Sequence, residues 1–267
     1  MEEPMRMLLV AMTGVALAAS LLAAQQAPVG YDDTPMQPNG RWRIHDGSRP
    51  QPKVVTPGAM NAEPPPQDAT VLVGAGADRS AWQMMDGTPV TWPMTNGELS
   101  TGKGMIRTRA EFTDYQLHVE FATPSQVKGN SQERGNSGVY LNGKFEIQVL
   151  DSYQNRTYAD GSASAMYGQY PPLVNASRPP GEWQSYDIVF TSPRFGAGGK
   201  LDAPAIVTVL HNGIVVHNAT PFWGPTQHKR IDPYTPDNAK GPIALQDHGN
   251  PVRYRNIWIR PVAEDGR

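Results

Sequence analysis

The stretch "NSGVYLNGKFEIQVLDSY", residues 136–153, reads as a strand, a tight turn and a second strand. Asn142-Gly143 stands between two alternating runs, the strongest short-range signal for a hairpin. A two-residue loop there pairs Leu141 with Lys144, Tyr140 with Phe145, Val139 with Glu146, Gly138 with Ile147 and Ser137 with Gln148. Directly opposed residues share a face. The expected core face therefore holds Tyr140, Phe145, Ile147 and Val149, and the other holds Ser137, Val139, Glu146 and Gln148. A face meant only for water would carry Lys, Thr and scattered charge. Short polar groups gathered together, with Gly135 and Gly138 removing side-chain bulk, suggest a surface that holds something polar.

The texture of this hairpin recurs outward from about residue 70. "YQLHVEFATP" alternates Leu117, Val119 and Phe121 with Gln116, His118 and Glu120. "AIVTVLHNGIVVHN" places two β-branched runs around Asn212-Gly213, and "PVRYRNIWIRP" reads as a last strand closed by Pro261. No segment sustains helical periodicity over three turns. Gly and Pro number 26 each, which favours short strands and turns. The expectation is an all-β domain of two antiparallel sheets packed face to face.

The formal charge of −2 over 267 residues gives no electrostatic footprint for nucleic acid. The chain has no cysteine, so disulfides, thiolate metal sites and cysteine nucleophiles are excluded. At the N-terminus, "MRMLLVAMTGVALAASLLAA" sets Arg6 before an apolar run ending in small residues. This is a signal-peptide pattern, with cleavage expected near Ala24 and a periplasmic or secreted product; an uncleaved anchor is the alternative. Residues 25–68 are proline-dense and poor in aliphatics, so they cannot build a core of their own. Trp42, Ile44, Val54 and Val55 are apolar enough to lie against a domain. The reading is an extended strap or linker that contributes little to chemistry, followed by a β-sandwich domain over residues 69–267.

A second strand repeats the opening pattern. In "GPIALQDHGNPVRYRNIWIR", Ala244, Gln246 and His248 alternate onto one face, and Asp247 onto the other. Two segments far apart in sequence thus each offer an amide beside an ionisable group, Gln148 with Glu146 and Gln246 with His248. On one shared face they would suit a carbohydrate: amides bond paired hydroxyls, and a Glu/His combination moves protons near neutral pH. The plain alternative is that these are ordinary solvated strand residues. Trp223, in the Gly/Pro loop "PFWGPTQHK", is a candidate to stack on a sugar ring, whereas Trp183 reads as core and His118 with Glu120 as a solvated face.

"GNSGVYLNGKFEIQVLDSY", "RPPGEWQSYDIVF", "VTVLHNGIVVHN" and "GPIALQDHGNPVRYRNIWIRP" together resemble the 3-keto-disaccharide hydrolase family, in order from about residue 78 to 262. The resemblance implies a concanavalin A-like sandwich (jelly roll) with a concave ligand-binding sheet. It also implies extracytoplasmic cleavage of glycosides already oxidised to a ketone at sugar C3, which a sugar 3-dehydrogenase would supply. Glu146 and His248 are then the catalytic acid/base candidates, in either order. Gln148, Gln246 and Ser137 would hold hydroxyls, and Arg134 or Arg255 would stabilise an enolate. A divalent cation is the alternative stabiliser, with Glu146, Asp151 and His248 as candidate ligands. Two rival readings stay open: a conventional endo-glycosidase, which would want a second carboxylate where Gln148 stands, and a non-catalytic carbohydrate-binding module.

Overall fold

A computed structural model describes residues 29–60 and 64–262. The signal-like segment of residues 1–24 lies outside the described residues. Two antiparallel sheets dominate. The larger runs Ile214–Pro221, Ile206–His211, Gln184–Thr191, Tyr115–Ala122, Arg253–Pro261, Glu98–Ser100 and Met94–Thr95, with Thr70–Val73 also paired to Arg253–Pro261. The smaller has five strands in the order Trp82–Met84, Ile106–Thr108, Ala244–Leu245, Ser137–Leu141 and Phe145–Val149. Helical structure among the described residues is confined to three-residue 3-10 turns, as expected of a chain without helical periodicity.

Alternation decides which side chains meet between the sheets. Leu117, Val119 and Phe121 point inward from the large sheet, as their spacing predicts, and join Tyr186, Ile188 and Phe190 in the core. Val139, Leu141, Phe145, Ile147 and Val149 complete it from the small sheet. Full burial of such side chains stabilises by about 1.5–3 kcal/mol each. Polar tips crossing the core are paired. Tyr186 Oη donates to the carbonyl of Gln148 at 2.7 Å, and Tyr254 Oη lies 2.7 Å from Ser137 Oγ. These bonds fix the position of the small sheet on the large one.

The opening hairpin differs from its expected register. Asn142 and Gly143 both adopt positive φ, and Lys144 N–H donates to Leu141 O at 3.0 Å, as a two-residue turn requires. Pairing nevertheless resumes with Leu141 opposite Phe145, Tyr140 opposite Glu146, Val139 opposite Ile147, Gly138 opposite Gln148 and Ser137 opposite Val149. Lys144 is the extra residue; its carbonyl accepts instead from Thr226 N–H at 2.8 Å. A one-residue slip turns a whole strand over. Val139 and Ser137 thus belong to the core, while Tyr140 and Gly138 share the outer face with Glu146 and Gln148. The second hairpin keeps its expected loop, with His211 opposite Ile214.

The proline-rich segment lies along the sandwich. Lys53–Val54 pairs in parallel with Val174–Asn175. Ile44 and His45 are fully buried. Asp160, itself buried, receives the Gln37 side chain at 3.1 Å and the His45 backbone N–H at 3.0 Å.

Candidate active site

The outer face of the small sheet carries a cavity of about 400 Å³ lined by Asn136, Tyr140, Glu146, Gln148, Tyr167, His228, Gln246 and His248, among others. That volume lies within the range of small-ligand sites. The two segments singled out in the sequence meet here. Ala244 pairs with Tyr140 and Leu245 with Val139, and Gln246 N–H then donates to Gly138 O at 3.0 Å. The Gln246–His248 segment is thereby laid beside the hairpin on one face.

Glu146 is the electrostatic centre. Its carboxyl is buried, and burial pushes its pKa up to about 8, against a small opposing pull from the Tyr140 hydroxyl. None of the ion pairs among the described residues involves it. Gln246 Nε2 donates to Tyr140 Oη at 3.2 Å, which leaves the Tyr140 proton free to point at Glu146. A carboxyl in this state keeps its proton at neutral pH and can release it to a substrate oxygen. Gly138 makes the position possible. A Cβ at residue 138 would stand 2.3 Å from Glu146 Oε1 and 3.0 Å from Tyr140 Cε2. The missing bulk that the sequence suggested as room for a ligand is filled by Glu146 itself. Gly138→Ala should therefore displace the carboxyl and lower turnover at least tenfold, with the core face of the hairpin intact. A normal rate in the Ala variant would show that the Glu146 position is not critical.

Two amide oxygens are presented without partners. Gln148 Nε2 donates to Gln132 Oε1 at 2.9 Å, while Gln148 Oε1 is buried and unpaired. Asn136 Nδ2 donates to Gln132 O at 2.7 Å, and Asn136 Oδ1 is likewise buried and unpaired. A buried acceptor without a donor is costly, so both oxygens suit a ligand hydroxyl that brings one. Gln132, held by Thr157 Oγ1 at 2.7 Å and Gly161 O at 2.8 Å, orients both amides.

The remaining wall comes from segments that cover the free edge of Phe145–Val149. Tyr167 N–H donates to Glu146 O at 3.2 Å, and Glu146 N–H to Thr226 Oγ1 at 3.1 Å. Tyr167 Oη lies 3.2 Å from His228 Nδ1 and 2.9 Å from Tyr158 Oη. Burial, and then the charges of His45, Lys229 and His248, lower the His228 pKa. Asn136, Tyr140, Tyr167 and His228 were not anticipated from the sequence. The Asn136 and Tyr140 faces depended on the register, and Tyr167 and His228 lie in irregular segments where no period marks a face.

The other anticipated residues lie elsewhere. Ser137 Oγ donates to Gln246 O at 2.6 Å on the core side, so it supports the site without facing it. Arg134 Nε donates to Asp151 at 3.0 Å; both line an adjoining cavity of about 780 Å³, of which His248 also forms part. Arg255 is on the large sheet, bonded to Glu120 at 2.6 Å and stacked on Trp183, with 4.1 Å from guanidinium to ring. His118 and Glu120, expected to be solvated, are buried in the same network. Trp223 packs on Tyr170, with ring centroids 4.3 Å apart, and is not among the residues lining either cavity. Asp247 accepts from the Gly104 and Gly249 N–H groups, each at 2.8 Å, and shapes the loop. The candidate metal ligands Glu146, Asp151 and His248 do not converge. Among the described residues no three His, Asp or Glu side chains are placed to hold an ion.

Residues 68–260 match the 3-keto-alpha-glucoside-1,2-lyase-like domain. The chain belongs to that family. The 3-keto-alpha-glucoside-1,2-lyase-like domain thus spans both sheets, and most of the proline-rich strap precedes it. Two solved structures from Parabacteroides distasonis ATCC 8503, each of a protein proposed to be a glycosyl hydrolase, are similar to this chain. One is 42% identical, covers 80% of this chain and 93% of its own, and superposes with a TM-score of 0.71. The other is 19% identical over 74% of this chain and 95% of its own, with a TM-score of 0.54, and supports the fold alone. No curated protein matches the chain.

Proposed function

We propose that this chain cleaves 3-keto-glycosides by removing the C2 proton, eliminating the C1 aglycone and then adding water. The observation that carries the reading is Glu146, a buried carboxyl held near pKa 8 on the same sheet face as His248 and two unpaired amide oxygens. A ketone at C3 acidifies C2–H, and the glycosidic oxygen on C1 is then β to the carbonyl. His248, at the exposed mouth, takes the C2 proton. Electrons pass from C2–H to the C3 oxygen, and the enolate collapses to a C1=C2 bond as the C1–O bond breaks. Glu146 gives its proton to the departing oxygen. Glu146 then takes a proton from water as its hydroxyl adds to C1, and the protonated His248 delivers a proton to C2, so both groups are restored and the net change is hydrolysis.

The enolate oxygen needs donors. Arg134 and Arg255 are not in this cavity; the second N–H of Gln246 and the His228 ring are. The aglycone extends into the adjoining cavity, which meets the first at His248. The signal-like segment suits action outside the cytoplasm, and an oxidation at sugar C3 must supply the substrate.

The endo-glycosidase reading is weaker. A retaining pair needs carboxyl groups about 5–5.5 Å apart. Glu146 is the only acidic side chain lining its cavity among the described residues, and Asp151 is tied to Arg134. A binding module would have no use for a carboxyl buried at this desolvation cost. Turnover of a 3-keto-glucoside beside the unoxidised glucoside tests the reading. Release from the keto form alone is expected; release from the plain glucoside at a similar rate, or from neither, would overturn it.

A further inference from the structure

The strap carries a buried imidazole that the chemistry above does not use. His45 Nδ1 lies 3.3 Å from Asp160 Oδ1, and neither side chain has any exposure. The same carboxylate is held by the Gln37 side chain and the His45 backbone, with Arg49 3.9 Å away. Asp160 is therefore a socket occupied by three strap residues. His45 Nε2 is buried without a partner. A phenyl ring would fill the same space but leave Asp160 Oδ1 buried without its donor, so the imidazole is fixed by Asp160 even though its Nε2 goes unpaired.

The ring faces the back of the cavity wall. Its centroid lies 4.6 Å from that of Tyr167, 4.3 Å from that of Tyr158 and 5.4 Å from that of His228, on which it stacks at 27°. Tyr167 and His228 line the cavity, and Tyr167 Oη bonds both Tyr158 Oη and His228 Nδ1. His45 is the one strap residue in ring contact with both Tyr167 and His228 among the described residues. Its orientation is set by Asp160 rather than by the cavity.

We propose that the Asp160–His45 pair is a positioning device of the site: it fixes Tyr167 and His228 on the cavity wall, so that a segment preceding the family domain takes part in turnover. This departs from the expectation that the strap contributes little to chemistry. It also rests on the reading of the cavity as the place of cleavage. If that reading fails, wild-type protein does not turn over a 3-keto-glucoside. If only the present inference fails, wild-type protein does, and the variants below match it.

The test uses the full chain, three single variants and one double variant. His45→Phe keeps a ring against Tyr158, Tyr167 and His228 but loses the tether to Asp160. It should still fold, at a lower Tm because Asp160 Oδ1 loses its donor, and its kcat per folded molecule should fall at least tenfold with KM changed less than threefold. On a His228→Ala background the same substitution should cost less than twofold, because its effect runs through His228. Tyr167→Phe, which removes only the hydroxyl joining Tyr158 to His228, gives an independent reading should His45→Phe fold poorly. It should lower kcat by a similar factor. A kcat within twofold of wild type in a folded His45→Phe protein, or an equal loss with and without His228, would overturn the proposal. For Tyr167→Phe, an unchanged kcat would do the same.

Discussion

Glu146→Gln should lower turnover of a 3-keto-glucoside by roughly two to four powers of ten, the usual worth of a positioned acid or base. Gln preserves the shape beside Gly138 and the reach of the Tyr140 hydroxyl, but it has no acidic proton to give. The loss should shrink when the aglycone is a nitrophenol, because a good leaving group departs without help. In wild-type protein, kcat/KM should fall as pH rises past about 8, where Glu146 gives up the proton it must donate. A rate that climbs through the same range would assign Glu146 as the base. Stability carries an independent signature. The folded pKa lies above the ordinary glutamate value of 4.5. Between the two the folded protein binds more protons than the unfolded chain, and wild type loses up to about 1.4 kcal/mol per pH unit as pH rises. The Gln variant lacks this slope, so at pH 9 it should be slower yet melt higher than wild type. A variant less stable than wild type at pH 9 would contradict the burial of Glu146.

His248→Ala should cost a similar two to four powers of ten, for a different reason. His248 is exposed at the junction of the two cavities, where the C2 proton of a sugar seated against Gln148 and Asn136 would face solvent. A base that removes a proton from carbon, the role proposed for His248, is not relieved by a good leaving group, so the nitrophenyl substrate should remain slow. Being exposed, His248 can be replaced without disturbing the fold, so Tm should stay within a few degrees of wild type. Added imidazole should restore part of the rate. Rescue of His248→Ala by nitrophenol, with none for Glu146→Gln, would exchange the two roles.

The second arm of the hairpin was legible from alternation alone: Phe145, Ile147 and Val149 are buried against the large sheet, and Glu146 with Gln148 faces the cavity. The first arm was not. Asn142-Gly143 announces a turn, but nothing local shows that Lys144 stands outside the ladder, its carbonyl accepting from Thr226 far along the chain. The one-residue shift carries Tyr140 from the expected core into the site and Val139 the other way. The meeting of Gln246 and His248 with Glu146 could be expected from matched patterns. Arg255 could not be placed, because nothing in "PVRYRNIWIRP" says which sheet receives it. Most hidden was His45, in a segment whose composition argues against a site. Its role depends on Asp160, whose burial no local pattern reveals.

The order of bond breaking at C2 is the centre of this account, and deuterium reports it directly. A 3-keto-glucoside turned over in heavy water should release a keto sugar carrying deuterium at C2, in amounts that follow enzyme turnover after the slow uncatalysed exchange of a ketone is subtracted. Elimination breaks C2–H, and the exposed His248 trades the proton it takes with solvent before hydration restores the bond, so the label follows turnover. Normal turnover without enzyme-dependent deuterium at C2 would mean that the bond never breaks, and direct displacement at C1 would take the place of elimination.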